Sequence, residues 1–163
     1  MLNKDFLLLL MICCYLTPII LVYYYYNSNS SVSNIICNDD CKNIILFFMI
    51  LMGGGTLLYE LERNDNISTF LICLLLIGLY GLICINENNI IHSMFAFLVF
   101  VTILSFMIWH FYNKLCNHIL LTSLLLEILT LFFIITNLEK NIFFGEVFYI
   151  LNFAFYYLYL HFI

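Results

Sequence analysis

The chain has 163 residues, 65% of them hydrophobic and 9% charged, with a net charge of −5. A soluble domain carries roughly 25% charged residues, and so few charges cannot cover a water-soluble fold of this size, which makes the bilayer the natural solvent. The basic residues are Lys4, Lys42, Arg63, Lys114 and Lys140, and without a basic cluster nucleic acid is not an expected partner.

A membrane span needs about 20 mostly apolar residues. Six runs meet this, at 6–26, 43–59, 69–85, 90–112, 118–136 and 141–162. They are long and do not alternate, so helices are favoured over a barrel. The expected fold is all-α: a polytopic integral membrane protein, a single domain built as a bundle of six transmembrane helices. The first run reads as an uncleaved signal anchor, because it lacks a small-residue cleavage site and ends in Tyr23–Tyr26. Pro18 should kink it.

Between the first two runs lies the longest loop, 27–42, "NSNSSVSNIICNDDCK". It holds Cys37 and Cys41, which are compatible with a disulfide on an oxidising side, with free thiols, or with half of a metal site. Asn29-Ser30-Ser31 and Asn66-Ile67-Ser68 match the glycosylation pattern. The other cysteines, Cys13, Cys14, Cys73, Cys84 and Cys116, read as small apolar packers. In the second and third spans, Gly53, Gly54, Gly55, Gly78 and Gly81 would let helix backbones approach closely. Tyrosines at span ends, among them Tyr59, Tyr156, Tyr157 and Tyr159 with Trp109, read as interfacial belts.

An even number of spans puts both termini on one side. That side holds Lys4, Arg63 and Lys114 against Lys42 and Lys140, which favours cytoplasmic termini. His110, His118, Cys116 and His161 fall near one face, where interfacial polar residues outweigh a metal-site reading. No catalytic or phosphate-cradling motif stands out, so no catalytic, cofactor or metal residue is assigned.

Three candidate functional residues remain: Glu127, Glu146 and His92. Glu127 sits inside "LLTSLLLEILTLFFIITN". A charged side chain at mid-membrane costs a few kcal/mol, and the five basic residues all lie at or beyond span ends. Glu127 is therefore expected to face the bundle interior as a neutral acid. Ser123 and Thr130 of its own helix, with Thr56, Thr102 and Ser105 from other spans, would be its partners. Glu146 is explained by the dipole at the start of the sixth helix. Asp39, Asp40, Glu87, His92 and Glu146 lie near one face, where solvated loop charge is favoured over a headgroup or cation site.

"HSMFAFLVF", 92–100, has the form H-x3-A-x3-F and opens the fourth span after "LIGLYGLI" and the turn "NENN". The charged stretch "YELERND" precedes them. In this order the chain resembles the six-span damage-regulated autophagy modulators and their relatives in GPI-anchor remodelling, over roughly residues 50–105. It departs from them at Phe95, where Gly is usual beside the Ala, and in a first loop without Pro. The resemblance implies an endomembrane six-helix protein without catalysis, with His92 matched to the family pattern.

The functional expectation is a small, non-enzymatic multipass protein in membrane organisation, lipid handling or trafficking. Its partners would be the bilayer and other copies or chains within the membrane. The alternatives are a proton- or cation-coupled transporter using intramembrane acids, and a structural subunit of an organellar respiratory complex in an inner membrane. The Asn, Ile, Tyr and Phe bias suggests an AT-rich source such as a protist, an organelle or a large virus.

Overall fold

The computed structural model describes residues 4–25, 31–36, 39–86, 89–113, 117–136 and 142–162. Among them the chain forms seven helices: α1 (Lys4–Tyr24), α2 (Val32–Ile36), α3 (Asp39–Arg63), α4 (Asn66–Cys84), α5 (Ile90–Asn113), α6 (His118–Thr136) and α7 (Ile142–Phe162). Five of them, α3 from Lys42 onward and α4 to α7, are long and apolar enough to cross a membrane. Their outward faces carry large apolar side chains such as Ile50, Phe70, Phe97 and Phe132, all exposed. Such faces suit lipid contact, since they would form wide apolar patches in water. α1 is helical over 21 residues with Pro18 inside it, and packs along α3.

Two boundaries differ from the sequence expectation. The long first loop is not all irregular: it contains α2, and α3 begins at Asp39 rather than at residue 43. α3 also runs on to Arg63, so "YELER" is helix and not a charged loop. Only Asn64 and Asp65 separate α3 from α4. Asn64 takes φ 57°, a left-handed position that Asn tolerates after a helix end. Asp65 is then the N-cap of α4, its Oδ1 accepting the N–H groups of Ile67 at 3.2 Å and Ser68 at 3.1 Å. Asn89 and Asn117 cap α5 and α6 in the same way, accepting Ile91 N–H at 3.0 Å and Ile119 N–H at 2.9 Å. Each cap satisfies an N–H that the first helical turn leaves unpaired.

Short turns make sequence neighbours antiparallel. α4 packs most closely on α5, α6 on α7, and α3 on α1, with α4 on its other side. A Cβ on Gly81 would come within 2.4 Å of the Phe95 ring, and one on Gly78 within 2.8 Å of Val99. These glycines let α4 and α5 approach, as expected of small residues in a membrane bundle. α5 and α7 run parallel and are tied twice. The Tyr149 hydroxyl donates to Phe100 O at 2.8 Å, and Tyr156 to Met107 O at 2.7 Å. The two tyrosines lie seven residues apart, as do the two carbonyls, so the ties recur every two turns. The core gathers around them, with Ile103, Phe106 and Met107 of α5 and Leu120 and Leu124 of α6 buried.

Candidate functional site

Glu146, Tyr149, Asn152, Tyr156, Tyr157 and His161 recur at steps of three and four along α7, or beside such a step, and so lie on one side of the helix. This side faces inward: Tyr149, Tyr156 and Tyr157 are buried, the last two against their reading as interfacial belt residues. Three carboxyl groups meet the stripe at three levels of the bundle.

At one end, Glu146 of α7 is buried. Its Oε2 accepts the Val32 N–H at 2.5 Å, and the Ser33 N–H also bonds to it. The carboxylate therefore caps the first turn of α2, not its own helix as the dipole argument held. This tie draws α2 into the end of the bundle, where Val32, Ile35 and Ile36 are buried and α2 touches α1, α3, α4 and α7.

Midway along the bundle, Glu127 of α6 is 0% exposed. Its Oε2 accepts the Asn152 amide at 2.5 Å. The same amide nitrogen donates to Ser123 O at 2.9 Å, and Ser123 Oγ donates to Asn152 Oδ1 at 2.8 Å. Glu127 Oε1 is buried and has no hydrogen-bond partner. The interior placement agrees with the sequence reading, but the partner is different. Thr130, Thr56 and Ser105 bond back to carbonyls of their own helices at 2.7–2.8 Å, as hydroxyls in helices commonly do.

At the other end, Glu60 of α3 is also 0% exposed. It accepts the Tyr157 hydroxyl at 2.7 Å and Arg63 Nη1 at 3.2 Å, and His161 Nε2 lies 3.8 Å away. Beside this group, Ser68 Oγ and His110 Nε2 share a hydrogen bond of 2.9 Å, and the Trp109 indole reaches Asp65 Oδ2 at 3.5 Å. Burial pushes the Asp65 carboxyl up, but the Ser68 N–H, the Trp109 indole, nearby His110 and the Ile67 N–H together hold it below the usual carboxylate range. Sequence reasoning passed over Glu60 because "YELERND" reads as solvated charge. The signal present was Glu60 and Arg63 at i, i+3 ahead of an Asn-Asp stop and cap.

His92 is buried, with Nδ1 2.9 Å from Ile85 O, so it ties the start of α5 to the end of α4. Glu146 and His92 are thus engaged in separate structural contacts, not in one headgroup site. Glu87 and Cys116 lie outside the described residues. So does Cys37, and with it the question of a Cys37–Cys41 bond. The histidines at the Glu60 end are apart: His110 is with Ser68, His161 with Glu60, and His118 is exposed. Among the described residues no three His, Cys, Asp or Glu side chains are grouped as metal ligands.

No family model matches the chain, and no curated protein or solved structure matches it.

Proposed function

We propose that the chain is a non-enzymatic, six-span integral membrane protein, with α1 as the sixth span, that binds a proton or small cation at Glu127 and moves it through the bundle as a coupled carrier. One observation carries this reading. Glu127 Oε1 is wholly buried without a partner, while Oε2 is held by Asn152. A carboxyl used only as a packing clamp would have both oxygens satisfied, because an unpaired buried polar atom is costly. A buried carboxyl oxygen that no side-chain or backbone group holds can take up and release a proton. The buried acids Glu146 and Glu60 at the two ends of the α7 stripe support a route in each direction. Intramembrane acids of this kind are functional by default.

Proteoliposomes containing the full chain test it. Imposed pH gradients should dissipate faster than in empty vesicles. Glu127→Gln keeps shape and hydrogen bonding but cannot titrate, and should lower the flux at least tenfold with unchanged helicity and elution volume. Equal flux in Glu127→Gln and wild type rejects the reading.

The sequence expectation of lipid handling, and with it the autophagy-modulator resemblance and an endomembrane address, is favoured by a different feature. An apolar cleft of about 430 Å³ lies between α3 and α4, lined by Met49, Gly53, Gly54, Leu76, Tyr80 and Ile83 among others. A Cβ on Gly54 would meet nothing within 4 Å. A photoactivatable lipid should label this cleft, and Gly54→Leu should block the labelling.

A further inference from the structure

We infer that His161 is a second proton-binding site, at the end of the bundle opposite Glu146, and that on protonation it takes Glu60 as its counter-charge in place of Arg63. The site stands on its own geometry and does not depend on what Glu127 does.

Three facts build it. The His161 side chain is 2% exposed, and its Nε2 is 3.8 Å from Glu60 Oε1. The rings of Tyr59 and Tyr157 stand nearly perpendicular to the imidazole, at 69° and 72°, each with its centroid 4.4 Å away. The same Oε1 is already engaged by Arg63, whose side chain is 20% exposed. A fully buried carboxylate thus stands between two bases of unequal freedom. One is at the margin and in reach of water. The other is enclosed by aromatic rings, which tolerate a cation better than aliphatic walls do.

With His161 neutral, Glu60 and Arg63 form a balanced pair. A proton on His161 adds a charge that the enclosed site cannot hold beside Arg63 without a second anion. The buried imidazolium cannot leave, whereas Arg63 can turn outward to water. A shift of about 1 Å would bring Nε2 into hydrogen-bond range of Oε1. The proton ends on Nε2 directed at Oε1, Tyr157 keeps its bond to the same oxygen, and Arg63 is released.

The other described titratable groups at this end have partners of their own or face outward. His110 of α5 is bonded to Ser68 of α4. Asp65 is capped onto α4 and held by Trp109. His118 of α6 is exposed. Glu60, Arg63, Tyr59 and Tyr157 are the described groups that face His161 or its carboxylate.

The test is a pH titration of the full chain in nanodiscs, with isotope-labelled histidine followed by magnetic resonance and the His161 signal assigned by its loss in His161→Asn. His161 should gain its proton between about pH 5 and pH 8, the range open to histidine. Glu60→Gln should lower the midpoint by at least one pH unit, a tenfold loss of proton affinity. Arg63→Gln leaves the carboxylate in place and covers the case in which Glu60→Gln does not fold; it should raise the midpoint. Glu127→Gln should leave it unmoved. A His161 that stays neutral at pH 5, or a midpoint that Arg63→Gln lowers or fails to move, overturns the assignment. So does an unmoved midpoint in folded Glu60→Gln, or a shift in Glu127→Gln.

Discussion

Asp65 holds the first turn of α4 by two backbone N–H groups and takes the Trp109 indole from α5 as well. Replacing it with Ala removes the cap, and Asp65→Ala should destabilise the protein by about 1 kcal/mol, read from thermal unfolding in detergent. Its acid strength in the folded chain exceeds that of a free Asp side chain. The stability it adds is then present above the unfolded value near pH 4 and is lost as pH falls through the lower folded value. Asp65→Asn should flatten the acid limb of the stability profile and leave the neutral limb in place. Residue-level reading of the sequence had uneven success, for physical reasons. That Glu127 turns inward followed from the absence of a cation near mid-span. Its bond to Asn152 did not, because "FYILNFAFYY" is apolar and aromatic on every side and shows no face. Glu60 was hidden by its charged neighbours, although only Glu60 of that stretch is wholly buried.

Among the elements, α3 and α4 carry five of the six glycines, and the structure separates their uses. Gly81 is pressed against Phe95, whereas Gly54 opens onto the cleft. Gly81→Leu should destabilise by about 1–3 kcal/mol through overpacking, and Gly54→Leu should be close to neutral. Parallel unfolding measurements of the two variants check this, and equal losses would mean that α4 and α5 do not pack this way. The helix positions were legible because long apolar runs have one stable form in lipid. The end of α3 was not, because a charged last turn looks the same in sequence whether it points to water or, as at Glu60, into a bundle. α2 escaped for another reason: five residues are too few for periodicity, and its anchor, Glu146, is 114 residues from Val32 in the chain.

For the whole molecule, five helices, α3 to α7, are long and apolar enough to cross a membrane, and the proposal that α1 is a sixth span makes the number of crossings even. Reporters fused to the N- and C-termini should therefore appear on the same side, the cytoplasmic one by the basic-residue bias. Reporters on opposite sides would remove α1 from the membrane-crossing set. The paired ties of α5 to α7 could not be foreseen, since they join hydroxyls to main-chain carbonyls, which carry no sequence signature.

The bond from Asn152 to Glu127 also bears on how the protein is made. α6 emerges from the ribosome before α7, carrying a carboxyl whose amide partner has not yet been synthesised. Entering lipid alone, α6 would bear the cost of Glu127 unrelieved, a few kcal/mol for an ionised side chain at the centre of a span. The insertion machinery should then retain α6 until α7 follows, and release the two as a hairpin. A nascent chain arrested after residue 141 should integrate α6 poorly. One extended through residue 162 should integrate it fully, and Asn152→Leu in the longer chain should restore the delay.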